Sequence, residues 1–410
     1  MLRRVEDTRP SLDLNAKALK SEPGPVLARI RAKSALAEAR IPLLGAIVLT
    51  TTHRAAETML KDRAGFVSNP ATAGLSGGAV PAWLPKRFKL LGKNMVLYDE
   101  PDHKRLRGLV DLAFARRGVA EMRAPLERET EALLDQVDPS GFDIVSALAR
   151  PLPLSAISAL LGLPEKGKRR FEALARPLSQ GFSGLAFVRA LWTLGGLVRE
   201  IERLIAAAKA GDDAEVAPDG LIALLAAAEG EGERLDAEEL TAMILTLLIA
   251  GHETTTHLIS GGVWALLTHP EQLARLKSGE VSVPEAVEEL LRWLSPVMLT
   301  KARFAAQDGE LDGAPIKRGE RIAACLIAAN HDPARWEDPE RLDLGRKPAG
   351  HLAFGAGIHF CLGLTLARME AEIAFSKLLE RFPDLQLAGE PEWTKRPGVR
   401  GFDKLPVNAD

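Results

Sequence analysis

The sequence predicts a mainly α protein with a small β subdomain. Three observations carry this. Residues 120–235 read as mostly helical between breaks at Pro139, Pro151, Pro164 and Pro177. An apolar helical period then runs from Leu240 to Leu267 and stops at His269-Pro270. Residues rich in β-formers are confined to Ile41–Thr51 and to short stretches in 304–330. Length alone suggests two or three domains. However, a helix of about thirty residues spans ~45 Å, and only one large domain buries such a rod, so residues 1–410 are expected to form one domain.

Taken in order, residues 1–40 are charged and Pro-broken, with a weak helix expected over Val26–Ala39. The β-rich stretch Ile41–Thr51 and a short helix over His53–Lys61 follow. Val67–Gly92 reads as a loop, Pro177–Gly196 as an apolar, Gly-rich segment, and 210–220 as an Asp/Gly/Pro loop. Asp236 and Glu239 form a capping-box start for the long helix. Ser282-Val283-Pro284-Glu285 opens another, with Pro just inside its start. On that helix Glu289 and Arg292 share a face; by spacing alone they make a surface ion pair worth under ~1 kcal/mol. A last helix is expected from Leu364 towards Leu379.

Composition excludes several classes. The chain is 46% hydrophobic and 26% charged, with a formal net charge of -2. Nothing pulls it towards nucleic acid or an acidic membrane. Two cysteines exclude a disulfide framework and any four-cysteine cluster. The start, Met1-Leu2-Arg3-Arg4, is followed by no apolar run of a signal peptide. Ala242 to Gly251, the longest apolar run, is too short to span a bilayer. A cytoplasmic, unanchored protein is expected.

Two stretches carry chemistry. Phe354-Gly355-Ala356-Gly357-Ile358-His359-Phe360-Cys361-Leu362-Gly363 sets a cysteine in a glycine-punctuated turn directly before a helix. The helix N-terminus favours the thiolate, a ligand for a soft metal centre. The glycines permit positive φ and close approach of something flat. Read alone, Cys361 is better taken as a buried structural cysteine in a Gly-rich turn. The second stretch is Ala250-Gly251-His252-Glu253-Thr254-Thr255. Glycine and an acid in mid-helix break an otherwise well-patterned helix, which marks a functional or strained site. Taken singly, Thr254 is a hydroxyl that bonds back to its own helix. His103 and Arg107, four apart, share one helix face. Cys325, without a glycine cradle, reads as core.

The first stretch resembles the haem-binding loop of cytochrome P450, Phe-x-x-Gly-x-x-x-Cys-x-Gly, through Phe354, Gly357, Cys361 and Gly363. Ala250, Gly251, Glu253 and Thr254 resemble the oxygen-activation signature of that family. Glu289 and Arg292 fit its Glu-x-x-Arg. Asn330 to Leu342 resembles its meander, with Trp336 and Leu342 in place of two aromatics. The resemblance implies haem b with Cys361 as axial thiolate. It implies that His103, Arg107, Arg303 and His359 bind the propionates, and that Gly251 leaves room for O2. Thr254 and Glu253 would relay protons. It also turns Glu289–Arg292 into a buried structural pair.

Monooxygenation of a hydrophobic small molecule is therefore expected. The two electrons come from NAD(P)H. The chain has no dinucleotide fingerprint and no cluster cysteines, so a separate ferredoxin or flavodoxin with its reductase is expected to deliver them. Lys104, Arg105, Arg116, Arg117, Arg346 and Lys347 are candidate docking residues. A monomer is expected. A peroxide-driven or isomerising haem-thiolate enzyme and a non-catalytic haem sensor are the competing readings. Glu253-Thr254 argues against both. Residues 67–92, 177–196, Val297–Leu299 and Phe402 are the expected pocket contributors.

Overall fold

The computed structural model describes residues 9–41, 45–75, 90, 92–175, 185–227 and 235–409. In chain order the elements begin with α1 (Lys17–Ser21), α2 (Pro23–Arg31), β1 (Leu36–Ile41), β2 (Gly45–Thr50), α3 (His53–Lys61) and β3 (Phe66–Val67). They continue with α4 (Asp102–Arg117), α5 (Arg123–Leu134), β4 (Phe142–Asp143), α6 (Pro151–Leu161), α7 (Glu165–Ala175), α8 (Leu185–Lys209) and α9 (Leu221–Ala227). Next are α10 (Ala237–Thr268), α11 (Pro270–Lys277), α12 (Val283–Leu294), β5 (Arg303–Ala305), β6 (Gly309–Leu311), β7 (Ala314–Ile316), β8 (Arg321–Ala323) and α13 (Leu326–Asn330). The chain closes with α14 (Leu364–Arg381), β9 (Gln386–Leu387), β10 (Glu392–Trp393), β11 (Phe402–Lys404) and β12 (Pro406–Asn408). The protein is thus mainly α with small sheets, as its sequence implies. Contacts divide it into two compact units. One comprises residues 1–77, 288–361 and 393–401; the other comprises 78–287, 362–392 and 402–410.

The first unit holds a five-stranded sheet of order β1-β2-β8-β5-β3. β1 and β2 pair antiparallel from Leu36↔Thr50 to Ile41↔Gly45. The expected helix over Val26–Ala39 therefore ends at Arg31, and Leu36–Ala39 belong to a strand. Alanine-rich local preference yields there to pairing with β2, which buries Leu36, Ala37 and Ala39. The expected strands of 304–330 stop at Ala323, since Leu326–Asn330 coil into α13. α3 is capped by the Thr52 side chain, which accepts from Ala55 N–H.

The second unit is built around α10. Asp236 accepts from Glu239 N–H at 2.7 Å and Glu239 accepts from Asp236 N–H at 3.0 Å, completing the capping box. The helix packs against α6, α8 and α14. Within the expected helical region, Phe142–Asp143 instead pair with β12. The Gly195-Gly196 pair does not interrupt α8, because the flanking Leu194, Leu197 and Val198 are buried. Part of the expected loop at 67–92 and of the segment at 177–196 lies outside the described residues.

Candidate functional site

In the first unit the cysteine loop is closed by Cys361 N–H donating to Phe354 O at 3.0 Å. Gly355 and Gly357 have φ of 70° and 72°. The expectation of positive φ fails at Gly363, whose φ of -84° is ordinary backbone at the N-cap of α14. At Gly357 a Cβ would fall inside the van der Waals shell of Leu60 O, at the end of α3. Arg303 donates from Nη1 to the same Leu60 O at 3.1 Å and to Met59 O at 3.3 Å, and is buried. His359 Nε2 lies 3.2 Å from Ser68 Oγ, just beyond β3. The end of α3 and the β3–β5 pair thus gather Gly357, Arg303 and His359 around the loop that bears Cys361. The fully buried Glu289–Arg292 pair ties down the chain just before this loop. Arg292 donates to Asn330 O at 2.7 Å, and Asn330 Oδ1 accepts from Leu352 N–H at 2.7 Å.

In the second unit α10 is buried along most of its length, but Ala250 and Thr254 are exposed and Gly251 and Glu253 half-buried. Thr254 Oγ1 donates to Ala250 O at 2.9 Å, so its proton points into the helix and its lone pairs point away. The Cβ direction of Gly251 meets Ile157 Cδ1 of α6 at 3.0 Å. The missing side chain there therefore also admits α6, a packing reason that the sequence does not show. His252 Nδ1 contacts Leu248 O at 2.8 Å, within its own helix. On α4, His103 is buried, and Arg107 Nε donates to the Asp111 carboxylate at 3.0 Å.

Several candidate docking cations have partners within their own unit. Arg105 forks onto Glu239 at 2.6 and 3.2 Å, and Arg117 meets Asp219 at 3.1 Å. Arg346 meets Glu289 at 3.1 Å. Lys104 and Arg116 remain exposed. Cys325 is buried, and burial pushes its thiol up to about 11, as suits a core residue. Among the described residues, no group of three or more His, Cys, Asp or Glu side chains is set to hold a metal ion.

The residues present fit a haem. A half-exposed Cys361 lies in a loop with partly uncovered Phe354, Ala356 and Ile358, and with Phe360 at 40% exposure. The glycine at 357 lets the loop lie against backbone. A single soft thiolate suits iron whose remaining ligands come from a macrocycle.

The comparisons agree. The family model described as Cytochrome P450 matches residues 198–280 and 283–402. Cytochrome P450 monooxygenase PikC of Streptomyces venezuelae is 37% identical, covering 97% of this chain and 94% of its own. Cytochrome P450 107B1 of Saccharopolyspora erythraea is 42% identical over 77% of each chain. The solved structure of the bacillaene polyketide synthase cytochrome P450 PksS from Bacillus subtilis 168 superposes with a TM-score of 0.86. It is 33% identical, covering 97% of this chain and 100% of that one. The chain therefore belongs to the cytochrome P450 family, the haem b monooxygenases.

Proposed function

We propose that the protein hydroxylates or epoxidises a hydrophobic small molecule of the polyketide kind. The observation that carries the reading is the half-exposed Cys361, held by a glycine turn against the end of α3. Haem, when bound, supplies reductive activation of O2 and transfer of one oxygen atom. Cys361, in the loop shaped by Phe354, Gly357 and Gly363, would hold the haem iron through its thiolate. Buried Arg303, with His359, His103 and Arg107, supplies cationic or hydrogen-bonding partners for the propionates. Ala250 and Gly251 form the groove wall. Thr254 Oγ1 presents lone pairs to that groove, and the adjacent Glu253 carboxylate moves protons towards it. The assignment of these residues to one haem, and of residues 1–410 to one functional domain, rests on the family pattern.

The substrate class rests on relatives. Polyketide biosynthesis cytochrome P450 PksS and 6-deoxyerythronolide B hydroxylase are 40% identical to this chain. A neighbour of TM-score 0.83 was solved with tirandamycin C bound. Electrons arrive from a separate ferredoxin or flavodoxin, docking near Lys104, Arg116 and Lys347. The protein works as an unanchored monomer in the cytoplasm. No helix among the described residues is long and apolar enough to cross a membrane.

Carbon monoxide added to the reduced protein tests the core of this reading. The red-shifted Soret band of thiolate ligation is expected, and its loss in Cys361→Ala. Its persistence in that variant refutes the assignment. Thr254→Ala is expected to lose roughly 10²-fold or more of NADPH-driven product formation while retaining peroxide-driven turnover. A screen of macrolactone ligands for the haem spin-state shift tests the substrate class.

A further inference from the structure

Far along the sequence from the thiolate loop, the first unit gathers buried donors. Lys20 is 2% exposed and Arg400 is 1% exposed, both inside the protein. Arg400 Nε donates to Lys20 O at 2.7 Å, and its Nη1 donates to Trp293 O at 2.7 Å and Leu294 O at 3.0 Å. Lys20 Nζ donates to Thr394 O at 2.5 Å and Arg396 O at 3.2 Å. All these acceptors are neutral carbonyls. Arg400 Nη2 and Thr394 Oγ1 are buried and reach no hydrogen-bond partner among the described residues. Arg400 also makes no ion pair among them; Glu340 acts on it only through space.

Burial pushes the Arg400 guanidinium down to about 9, which still leaves it charged at neutral pH. Carbonyl dipoles stabilise such a charge but do not neutralise it, and a buried donor without an acceptor is costly. Water would take the open donors and leave the charge. A carboxylate from the protein would do both, yet none among the described residues bonds to Arg400. A small anion at Nη2 would do both, and the Thr394 hydroxyl is a second buried donor left open in the same unit.

We propose that Lys20, Thr394 and Arg400 form a buried binding site for a small monovalent anion of chloride size. Through Arg400 the anion fastens α1 to residues 394–400. That segment is in turn bonded to residues 296–298: Arg400 N–H donates to Pro296 O, and Met298 N–H donates to Gly398 O, both at 2.9 Å. Val297 also bridges Val399. Anion occupancy therefore sets the rigidity of the Val297–Leu299 segment. The site does not depend on the monooxygenase reading.

The test uses the full-length protein in sodium gluconate, exchanged for chloride or bromide at constant ionic strength. A saturable, halide-specific rise in Tm of roughly 2–4 °C is expected. Thr394→Val keeps the side-chain shape and removes the donor, so it is expected to fold and to lose the halide response. Crystals soaked in bromide are expected to show anomalous density beside Arg400 Nη2 and Thr394 Oγ1. A water at that position, an equal response to gluconate, or an unchanged response in Thr394→Val overturns the proposal.

Discussion

Glu289 and Arg292 form a bidentate ion pair with both side chains at 0% exposure, at 2.7 Å to Nε and 2.8 Å to Nη2. The pair is not isolated. Arg292 Nη1 reaches Pro339 O at 2.9 Å as well as Asn330 O, and Glu289 accepts from Arg346 Nε at 3.1 Å. One turn of α12 thus holds the 330–346 segment, which Asn330 joins to Leu352 just before the cysteine loop.

Removing one partner leaves a buried charge uncompensated. Arg292→Leu is expected to cost about 3–5 kcal/mol, read as a lower urea midpoint, with haem content of the purified protein falling in parallel. Glu289→Gln keeps the shape and loses the charge, so its loss is expected to be of similar sign. An unchanged midpoint in both variants would show that the pair is dispensable.

The two glycines of the loop separate strain from space. Both have positive φ, but a Cβ at Gly355 meets nothing within 4 Å, whereas one at Gly357 meets backbone at Leu60. Gly355→Ala is expected to cost about 1–2 kcal/mol, the left-handed penalty alone. Gly357→Ala adds a clash with backbone that cannot swing aside. It is expected to lose bound haem, measured as the ratio of Soret to protein absorbance.

How much of this was legible follows from where each signal resides. The cysteine loop, the α10 break and the capping box at Asp236 are local patterns, so their residues could be read in order. The strand at Leu36–Ile41 could not, because its identity comes from pairing with β2 and not from its own helix-favouring alanines. Lys20 and Arg400 carry no local pattern; only the structure shows carbonyls closing around them. Gly251 was legible as an anomaly, but its contact with Ile157 was not. That contact depends on how closely α6 approaches α10.

Gly251 therefore has a packing role that can be tested apart from oxygen chemistry. Gly251→Ala presses on Ile157 Cδ1, the flexible end of a side chain. A cost of about 1–3 kcal/mol is expected from overpacking. Ile157→Val in the same chain is expected to restore most of the stability. If product yield stays low in that stable double variant, the groove itself needs glycine; if yield returns, packing was its role.

Glu370 on α14 is 1% exposed, and its Oε2 has no hydrogen-bond partner among the described residues. Burial raises its carboxyl well above the ordinary 4.5, so the folded state keeps a proton that the unfolded chain releases. Stability is therefore full below about that ordinary value and falls as pH rises towards the folded one, by at most ~1.4 kcal/mol per pH unit. Glu370→Gln is expected to flatten the alkaline limb of the Tm–pH curve. An identical limb in the variant would mean that the acid is paired.

Asp236 gives the opposite slope. Burial pushes its carboxyl up, but hydrogen bonds from the Glu239 amide and from Lys93 outweigh this and hold it below the ordinary 3.8. Its contribution is therefore present above that ordinary value and is lost as pH falls through the folded one. Asp236→Ala removes the cap of α10 and one partner of Lys93, whose other partner is Glu238 at 2.7 Å. A loss of about 0.5–2 kcal/mol is expected at neutral pH, shrinking as pH falls below the ordinary 3.8 and the native carboxyl protonates. Parallel acid-denaturation curves for the two proteins, offset equally at every pH, would show that the charge on Asp236 contributes nothing to the cap.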